Sequence, residues 1–572
     1  MNNEMPLPQK DYYQTLIWLL IIGFIVIFAG VGLRDPWPAD EPRFVEVARE
    51  MVASGNWFFP QRGGEFYPDK PPIFMWSMAI LYLLTGSLSW TFLLPNAVAS
   101  LITLLCVYDL GARLWDIKVA KKAAILLLIA PQFIIQAKTA QIDAMVACWI
   151  TISMYGLIRH FFVAPSQLWY LLAWFFMGLG VLTKGVGFLP VFFLIPIFAL
   201  HYSKRYRFDS QMNMQLFLGP LVLLMVLLAW LTPILYFSYT SDNPDFAAYR
   251  DNILFKQTAE RYVNSWGHIK PWYFFFISVI PLLWFPLYLL MINKGFWRKL
   301  TASPVAISLL IWVGLVVVFF SLSPGKRNLY ILPALPMFAL LVGACCSLSE
   351  VKKWFNKVLA STGILLTSVL VVGFFLCLFK LPAITRQVGE TTGPLALLCL
   401  SGAVIWIGVL FIGIRQQKQI NLSLYHYAVG IGLTWVLYGL VAYPVMNDAR
   451  TPAKAIMTRI QQDIAPNSEV GLARFKEQFL LFSPMPLVHF SYLASPQEQD
   501  KNAWLWMKEK PNRYVLTQKS KDLLCFDPSK ATDLGIAHRR HWLLFGHDAM
   551  LATCPKPQRV QRYVQAMKQI YQ

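Results

Sequence analysis

The sequence predicts an all-α polytopic membrane protein with about 13 transmembrane helices, followed by a small α/β domain over residues 447–572. Three observations carry that reading. Of 572 residues, 57% are hydrophobic and 14% charged, with mean hydropathy +0.50, whereas soluble chains hold about 25% charged residues. Apolar windows of about 20 residues, enough to cross a hydrocarbon core, recur along most of the chain. From Asn447 onward Asp, Lys, Gln and Pro return to soluble frequencies. A single soluble globule, a disordered chain and a collagen are excluded, and no nucleic-acid partner is expected. The formal charge of +20 is first a topology signal in a membrane protein.

The expected spans run over residues 14–33, 92–112, 122–138, 144–162, 167–182, 187–202, 215–236, 272–292, 304–322, 329–348, 357–379, 394–413 and 423–446. Some contain Gly and Pro, which membrane helices tolerate where neighbours re-satisfy the backbone. The first is too long for a signal peptide and lacks a small-residue cleavage site. Lys and Arg cluster in one alternating set of loops: Arg113, Lys118, Lys121 and Lys122; Lys204, Arg205 and Arg207; Lys294, Arg298 and Lys299; Lys352, Lys353 and Lys357; Arg415 and Lys418. Basic loops stay in the cytoplasm, so the N-terminus is expected inside and the tail after Val441 outside. Cys106, Cys148, Cys345, Cys346, Cys377 and Cys399 lie in apolar runs as small buried hydrophobes. Cys525 and Cys554 alone are candidates for a bridge.

The first external loop, 34–91, holds two apolar-faced segments. In Glu41–Ser54, Phe44, Val47, Ala48 and Met51 recur at helical spacing with Arg43, Glu46, Arg49 and Glu50 between them. Pro71–Gly86 is apolar but about 15 residues long, and counting it as a crossing would reverse the charge rule. Both are expected to lie as helices in the outer interface. The tail carries strand-like runs at Glu469–Phe475 and Tyr514–Leu516 and a helix-like run at Gln497–Lys508.

Acids in a membrane protein are functional hypotheses by default, and nearly all of these sit at the external rim: Asp35, Asp40, Glu41, Glu65 and Asp69, then Asp143, then Asp242, Asp245, Asp251 and Glu260. A transporter more often sets its carboxylate at the midplane beside a broken helix, so a rim site suits an enzyme acting on a lipid-borne substrate. Pro38-Ala39-Asp40-Glu41-Pro42-Arg43-Phe44 puts an acidic pair at a helix start, either for chemistry or as an N-cap. Tyr67-Pro68-Asp69-Lys70-Pro71-Pro72 holds an acid and a base between prolines, for a ligand or as a surface turn with a snorkelling lysine. Lys138-Thr139-Ala140-Gln141-Ile142-Asp143 opens a span with an acid that capping also explains. Thr183-Lys184-Gly185 and Pro324-Gly325-Lys326-Arg327-Asn328-Leu329-Tyr330 put cations in short external loops, which call for a local partner or an anion such as phosphate. His268-Ile269-Lys270-Pro271-Trp272-Tyr273-Phe274 leads into a span through an aromatic belt.

In order and spacing over residues 10–446, these motifs resemble the GT-C glycosyltransferases of the protein O-mannosyltransferase type, and most of all the bacterial aminoarabinose transferases that modify lipid A. The resemblance implies a transmembrane glycosyltransferase domain over 1–446 and a periplasmic domain over 447–572, in the bacterial inner membrane with the active face periplasmic. It implies transfer of a sugar, 4-amino-4-deoxy-L-arabinose or a relative, from a polyprenyl phosphate donor to lipid A or another glycolipid, with inversion. By that likeness Asp40 is the catalytic carboxylate, with Glu41 its neighbour and Asp143 a second cavity acid. Lys70, Arg43, Lys184, Lys326, Arg327 and Tyr330 face the donor phosphate. Asp69 and His268 correspond to positions associated with a divalent ion, zinc in that group, although the family often carries Glu where this chain has Asp69. Two rivals remain open: transfer to protein hydroxyls within the same fold, against which the lack of a large β-trefoil insert counts, and transport of a polyprenyl-linked sugar.

Overall fold

The computed structural model describes residues 9–203, 216–255, 268–382, 391–417 and 422–565. Glu260 and the basic residues Lys204, Arg205, Arg207 and Lys418 lie outside them. In a bilayer every backbone polar group must be satisfied within the chain, and helices do this locally. Among the described residues, nine helices are long and apolar enough to cross, from Gln9–Phe28 to Leu424–Arg450. A tenth span is made if Ile117–Ile129 and Pro131–Ala137, bent by 68° at their junction, count as one. Pro131 has no N–H to continue the first helix's ladder.

The other three expected spans are helical but fall outside this set. Gln167–Lys184 is a continuous helix that ends on its lysine. Val186–Phe193 is a 3-10 stretch around Pro190 before the helix Leu194–Tyr202. Phe275–Val279, Ile280–Leu283 and Leu287–Ile292 are π, α and 3-10 pieces in series. Ile73–Thr85 has 13 residues, about 20 Å at 1.5 Å per residue, too short to span.

The chain divides into two compact units: Met1–Val31, Asp69–Phe74 and Leu93–Tyr443, and Gly32–Pro68, Met75–Phe92 and Pro444–Gln572. The first is the helical bundle. Small residues let its backbones approach, as bilayer packing favours. A Cβ at Gly187 would stand 2.1 Å from the backbone of Gly180–Val181, and one at Gly343 would meet Ala123 at 2.7 Å. The first helix ends before Gly30 (φ 94°), and its carbonyls at Ile27 and Ala29 accept from the buried Lys138 ammonium at 3.3 and 2.6 Å. A cation there offsets the negative end of the helix.

In the second unit the early loop and the tail fold together. The tail forms a sheet of order β6-β7-β5-β3-β4-β8. Its strands are β3 Glu469–Leu472, β4 Leu487–His489, β5 Arg513–Gln518, β6 Thr532–Ala537, β7 Arg540–Phe545 and β8 Tyr563–Val564. β3 runs parallel to both β4 and β5, while the outer pairings are antiparallel. The helix Pro496–Lys508 makes the crossover from β4 to β5 and buries Trp506 and Met507 in the core. Cys525 and Cys554 are joined in a disulfide, and the other six cysteines form none.

The early loop contributes a hairpin, β1 Gln61–Arg62 and β2 Glu65–Phe66, which docks at the ends of β3 and β4. Arg62 pairs with Glu477 at 2.7 Å and lies 5.2 and 4.7 Å from the rings of Phe475 and Tyr492. Glu65 accepts from the Ser491 hydroxyl and the Tyr492 amide at 2.6 and 2.8 Å. His489 donates from Nε2 to the Gly63 carbonyl at 2.7 Å, and burial pushes its pKa down to about 4.

Glu41–Ser54 is a helix over the expected range, closed by Gly55 at φ 70°, a left-handed residue that suits glycine. Its surroundings differ from the expectation of a half-exposed interfacial helix, because Glu46 and Arg49 are also buried. They pair with each other at 2.5 Å, and Gln565 donates to Glu46 at 2.6 Å. Burial pushes the Glu46 carboxyl up to about 8, with neighbouring Glu50 adding to the rise and Arg49 opposing it.

The folded protein therefore keeps a proton that the unfolded chain releases, so this contribution is full below about pH 4.5 and is lost as pH rises toward 8. Buried His489 acts in the opposite sense on the acid side, so the comparison must be with a variant at Glu46 alone. In thermal unfolding of the detergent-solubilised protein between about pH 5 and 8, the wild-type midpoint should fall relative to that of Glu46→Gln as pH rises. Parallel pH curves for the two proteins would refute the assignment.

Candidate functional site

Two groups of polar side chains stand out, one in each unit. In the second unit the helix Glu41–Ser54 begins at Asp40, whose backbone has φ −95° and ψ −34° and whose side chain makes no capping hydrogen bond. The capping alternative therefore does not account for this carboxylate. It accepts instead from Arg43 at 2.6 Å, with side-chain exposures of 17% and 25% for the acid and base, so the pair is reachable from water.

Glu41 is placed differently. Arg34 grips both of its oxygens, at 2.5 and 2.7 Å, and the Trp37 backbone N–H donates to it at 2.7 Å. Both partners of the ion pair are buried. Such a two-pronged guanidinium–carboxylate contact fixes orientation as well as charge. Glu41 is thus tied into the protein's own framework, and the two members of the acidic pair have separate environments.

Just upstream, Asp35 accepts from Asn447 Nδ2 at 2.8 Å and Lys454 at 3.0 Å. The Asp35 backbone N–H and the Trp37 indole donate to Asn447 Oδ1 at 2.8 and 3.3 Å. The motif reading named neither Arg34 nor Asn447 as a site residue. Arg34 closes the first apolar run and Asn447 opens the polar tail, so each is visible in the sequence only as a boundary.

In the bundle, Asp143 lies in the first turn of Ile142–Ile158 and Lys184 ends Gln167–Lys184. Each charge is at the helix end that favours it, and the two form an ion pair. The Lys184 ammonium also lies 4.7 Å from the centre of the Tyr330 ring, near enough for a cation–π contact. Acid, base and phenol from three expected loops thus come together. Thr183 beside them accepts from the Trp149 indole at 3.1 Å.

Lys326 is not open to a ligand in this way. It is buried, and its ammonium donates to the carbonyls of Ser323 and Lys270 at 2.5 and 3.0 Å. Its backbone N–H donates to the His268 carbonyl at 3.0 Å, and Ile269 bridges to Gly325. Lys326 therefore ties the His268–Lys270 segment to its own loop. Arg327 starts the 3-10 turn Asn328–Ala334 and is half-buried. Asp69 and Lys70 are half-buried in the turn before Ile73–Thr85.

His268 is exposed, with φ 60°. Among the described residues, no three or more His, Cys, Asp or Glu converge as a metal site would require. Asp69 with His268 does not fit the four-ligand or three-ligand sets that hold zinc.

Comparison with known proteins agrees with the motifs. Residues 69–230 match the family described as dolichyl-phosphate-mannose-protein mannosyltransferase. The sequence is 27% identical to an undecaprenyl phosphate-alpha-4-amino-4-deoxy-L-arabinose arabinosyl transferase of Aeromonas hydrophila, over 93% of this chain and 99% of that protein. A protein of the same name from Pseudomonas aeruginosa is 29% identical over 58% of this chain and 59% of its own. The fold is that of ArnT from Cupriavidus metallidurans, solved bound to undecaprenyl phosphate: TM-score 0.68 at 21% identity, covering 92% of this chain and 97% of that one.

Replacing Lys326 by Met strands the buried Ser323 carbonyl and removes the donor to that of Lys270, a loss of about 1–3 kcal/mol. The expected result is a lower thermal midpoint in detergent with no ligand present. An unchanged midpoint would return Lys326 to the set of ligand-facing cations.

Proposed function

We propose that this chain, matched in sequence and fold to the transferases just described, moves an aminopentose or closely related sugar from undecaprenyl phosphate to lipid A or a related envelope glycolipid. The observation that carries the reading is the sequence likeness to a named arabinosyl transferase along nearly the whole of both chains. The protein is a multi-pass membrane protein. Its basic loops favour a cytoplasmic side and the Cys525–Cys554 disulfide an oxidising one. Together they support the bacterial inner membrane with the second unit in the periplasm.

In the proposed reaction an acceptor oxygen attacks the anomeric carbon and the bond to the donor phosphate breaks on the opposite face. The configuration inverts, and the polyprenyl phosphate leaves with one more negative charge than it had as a diester. Asp40 acts on the acceptor. Where the acceptor is a hydroxyl, Asp40 takes its proton as general base. Where it is a phosphate, already ionised near neutral pH, Asp40 orients it. Arg43 holds the Asp40 carboxylate.

The departing phosphate needs positive charge set where its own develops. We assign this part to Lys184, which pairs with Asp143 and lies beside the Tyr330 ring, with Lys70 and Arg327 as further cations. Arginine can hold a phosphate by two parallel bonds while lysine acts as a point charge. Glu41 shapes the loop that carries Asp40. The site must exclude water, which would otherwise hydrolyse the donor.

The test is mass spectrometry of lipid A from cells with and without the protein, alongside the Asp40→Asn variant. A protein-dependent aminopentose addition, lost in Asp40→Asn while the variant still inserts in the membrane, is the expected result. Unmodified lipid A together with newly glycosylated protein would move the acceptor to protein hydroxyls, as the mannosyltransferase likeness over residues 69–230 would favour. Full activity in Asp40→Asn would remove that residue from the chemistry.

A further inference from the structure

We infer that Asn447 is a positioning residue for Asp40, acting through Asp35, Trp37 and the Arg34–Glu41 pair. The inference rests on the role given to Asp40 above. It starts from the shape of the contact. An amide side chain carries an acceptor and a donor on one planar group, and Asn447 uses both on the same residue. Its Oδ1 accepts the Asp35 backbone N–H and its Nδ2 donates to the Asp35 carboxylate, each at 2.8 Å. This two-point contact fixes the Asp35 backbone and side chain together. The same Oδ1 accepts from the Trp37 indole at 3.3 Å.

Trp37 carries the constraint onward. Its ring lies 4.5 Å from the Arg34 guanidinium and 5.6 Å from that of Arg450, and its backbone N–H donates to Glu41. Arg34 holds the two carboxylate oxygens of Glu41. Glu41 is the first residue of the helix and Asp40 the residue before it. The Asp40 side chain makes no capping bond, and the backbone that Glu41 anchors and the contact with Arg43 both bear on its direction. Every contact in the series lies within one compact unit.

A clamp that served stability alone would lower the amount of folded protein and leave turnover per folded molecule intact. A positioning clamp lowers turnover, because a displacement of about 1 Å costs on the order of 100-fold in rate. Asn447→Asp keeps the acceptor and sets a second carboxylate against Asp35. The double exchange Asp35→Asn with Asn447→Asp restores one donor facing one acceptor, with the roles reversed.

The experiment uses the full-length enzyme with an undecaprenyl phosphate-linked aminopentose and lipid A. In Asn447→Asp, kcat per folded molecule is expected to fall about 100-fold, with the donor KM within about two-fold because donor-binding cations are untouched. The double exchange should recover most of the loss. Hydrogen exchange, read on the peptide over residues 34–44, should speed in Asn447→Asp and slow again in the double exchange, while β3 and β5 stay protected. Unchanged kcat per folded molecule, or a double exchange that restores neither rate nor protection, overturns the inference. Wild-type protein that transfers nothing to lipid A, yet shows the reversible change in exchange, upholds the clamp and counts against the proposed function alone.

Discussion

The ion pair between Arg34 and Glu41 is the contact on which the loop that carries Asp40 depends. Both side chains are almost wholly out of water, where an unpaired charge is untenable. Breaking a buried pair by removing one partner costs about 3–5 kcal/mol, so the segment between them has little freedom to take another course. It must turn back on itself over seven residues to bring the guanidinium to the carboxylate. That turn delivers Asp40 to the start of its helix, where it pairs with Arg43 and makes no capping bond. Two adjacent acids thus take different parts, one building the scaffold and one facing the solvent-reachable side.

The same logic of paired charges explains what the sequence reveals and what it hides. Helical periodicity locates Glu41–Ser54 to the residue, because the apolar positions and Gly55 mark its face and its end. The pattern is silent on Glu46 and Arg49, whose charges read as solvent-facing until their mutual bond is seen. Lys184 and Asp143 are each legible as rim charges. Their pairing joins positions 41 residues apart, which no local pattern encodes. Lys326 looks like a phosphate-binding cation because the carbonyls that consume it, at Ser323 and Lys270, have no signature of their own. The broken spans near Pro190 and Pro286 fail the count of regular helices for a local reason, since proline removes ladder bonds that hydropathy does not register.

The tail domain repays a similar reading. Three parallel strands with β3 at the centre resemble the heart of a doubly wound sheet, in which ligands bind beyond the carboxyl ends of the strands. Here those ends are occupied from within. Arg474, just after β3, is satisfied by Asp500 at 2.9 Å and Asp522 at 3.0 Å. The hairpin of β1 and β2 covers the ends of β3 and β4 with Arg62 and Glu65. The space beyond these strand ends is thus taken up by a piece of the protein's own chain.

That grip sets a schedule for biogenesis. Asp35 and Asn447 are 412 residues apart, and the hairpin glycine and His489 are 426 apart. At about 5–20 residues per second, the ribosome finishes the loop that carries Asp40 roughly 20–80 s before the partners that shape it emerge. Throughout that interval the nascent chain carries the turn from Asp35 to Trp37 without the amide that fixes it. A product truncated before Asn447 therefore lacks the contact that fixes this turn, and the turn takes its final form only once the last domain has folded.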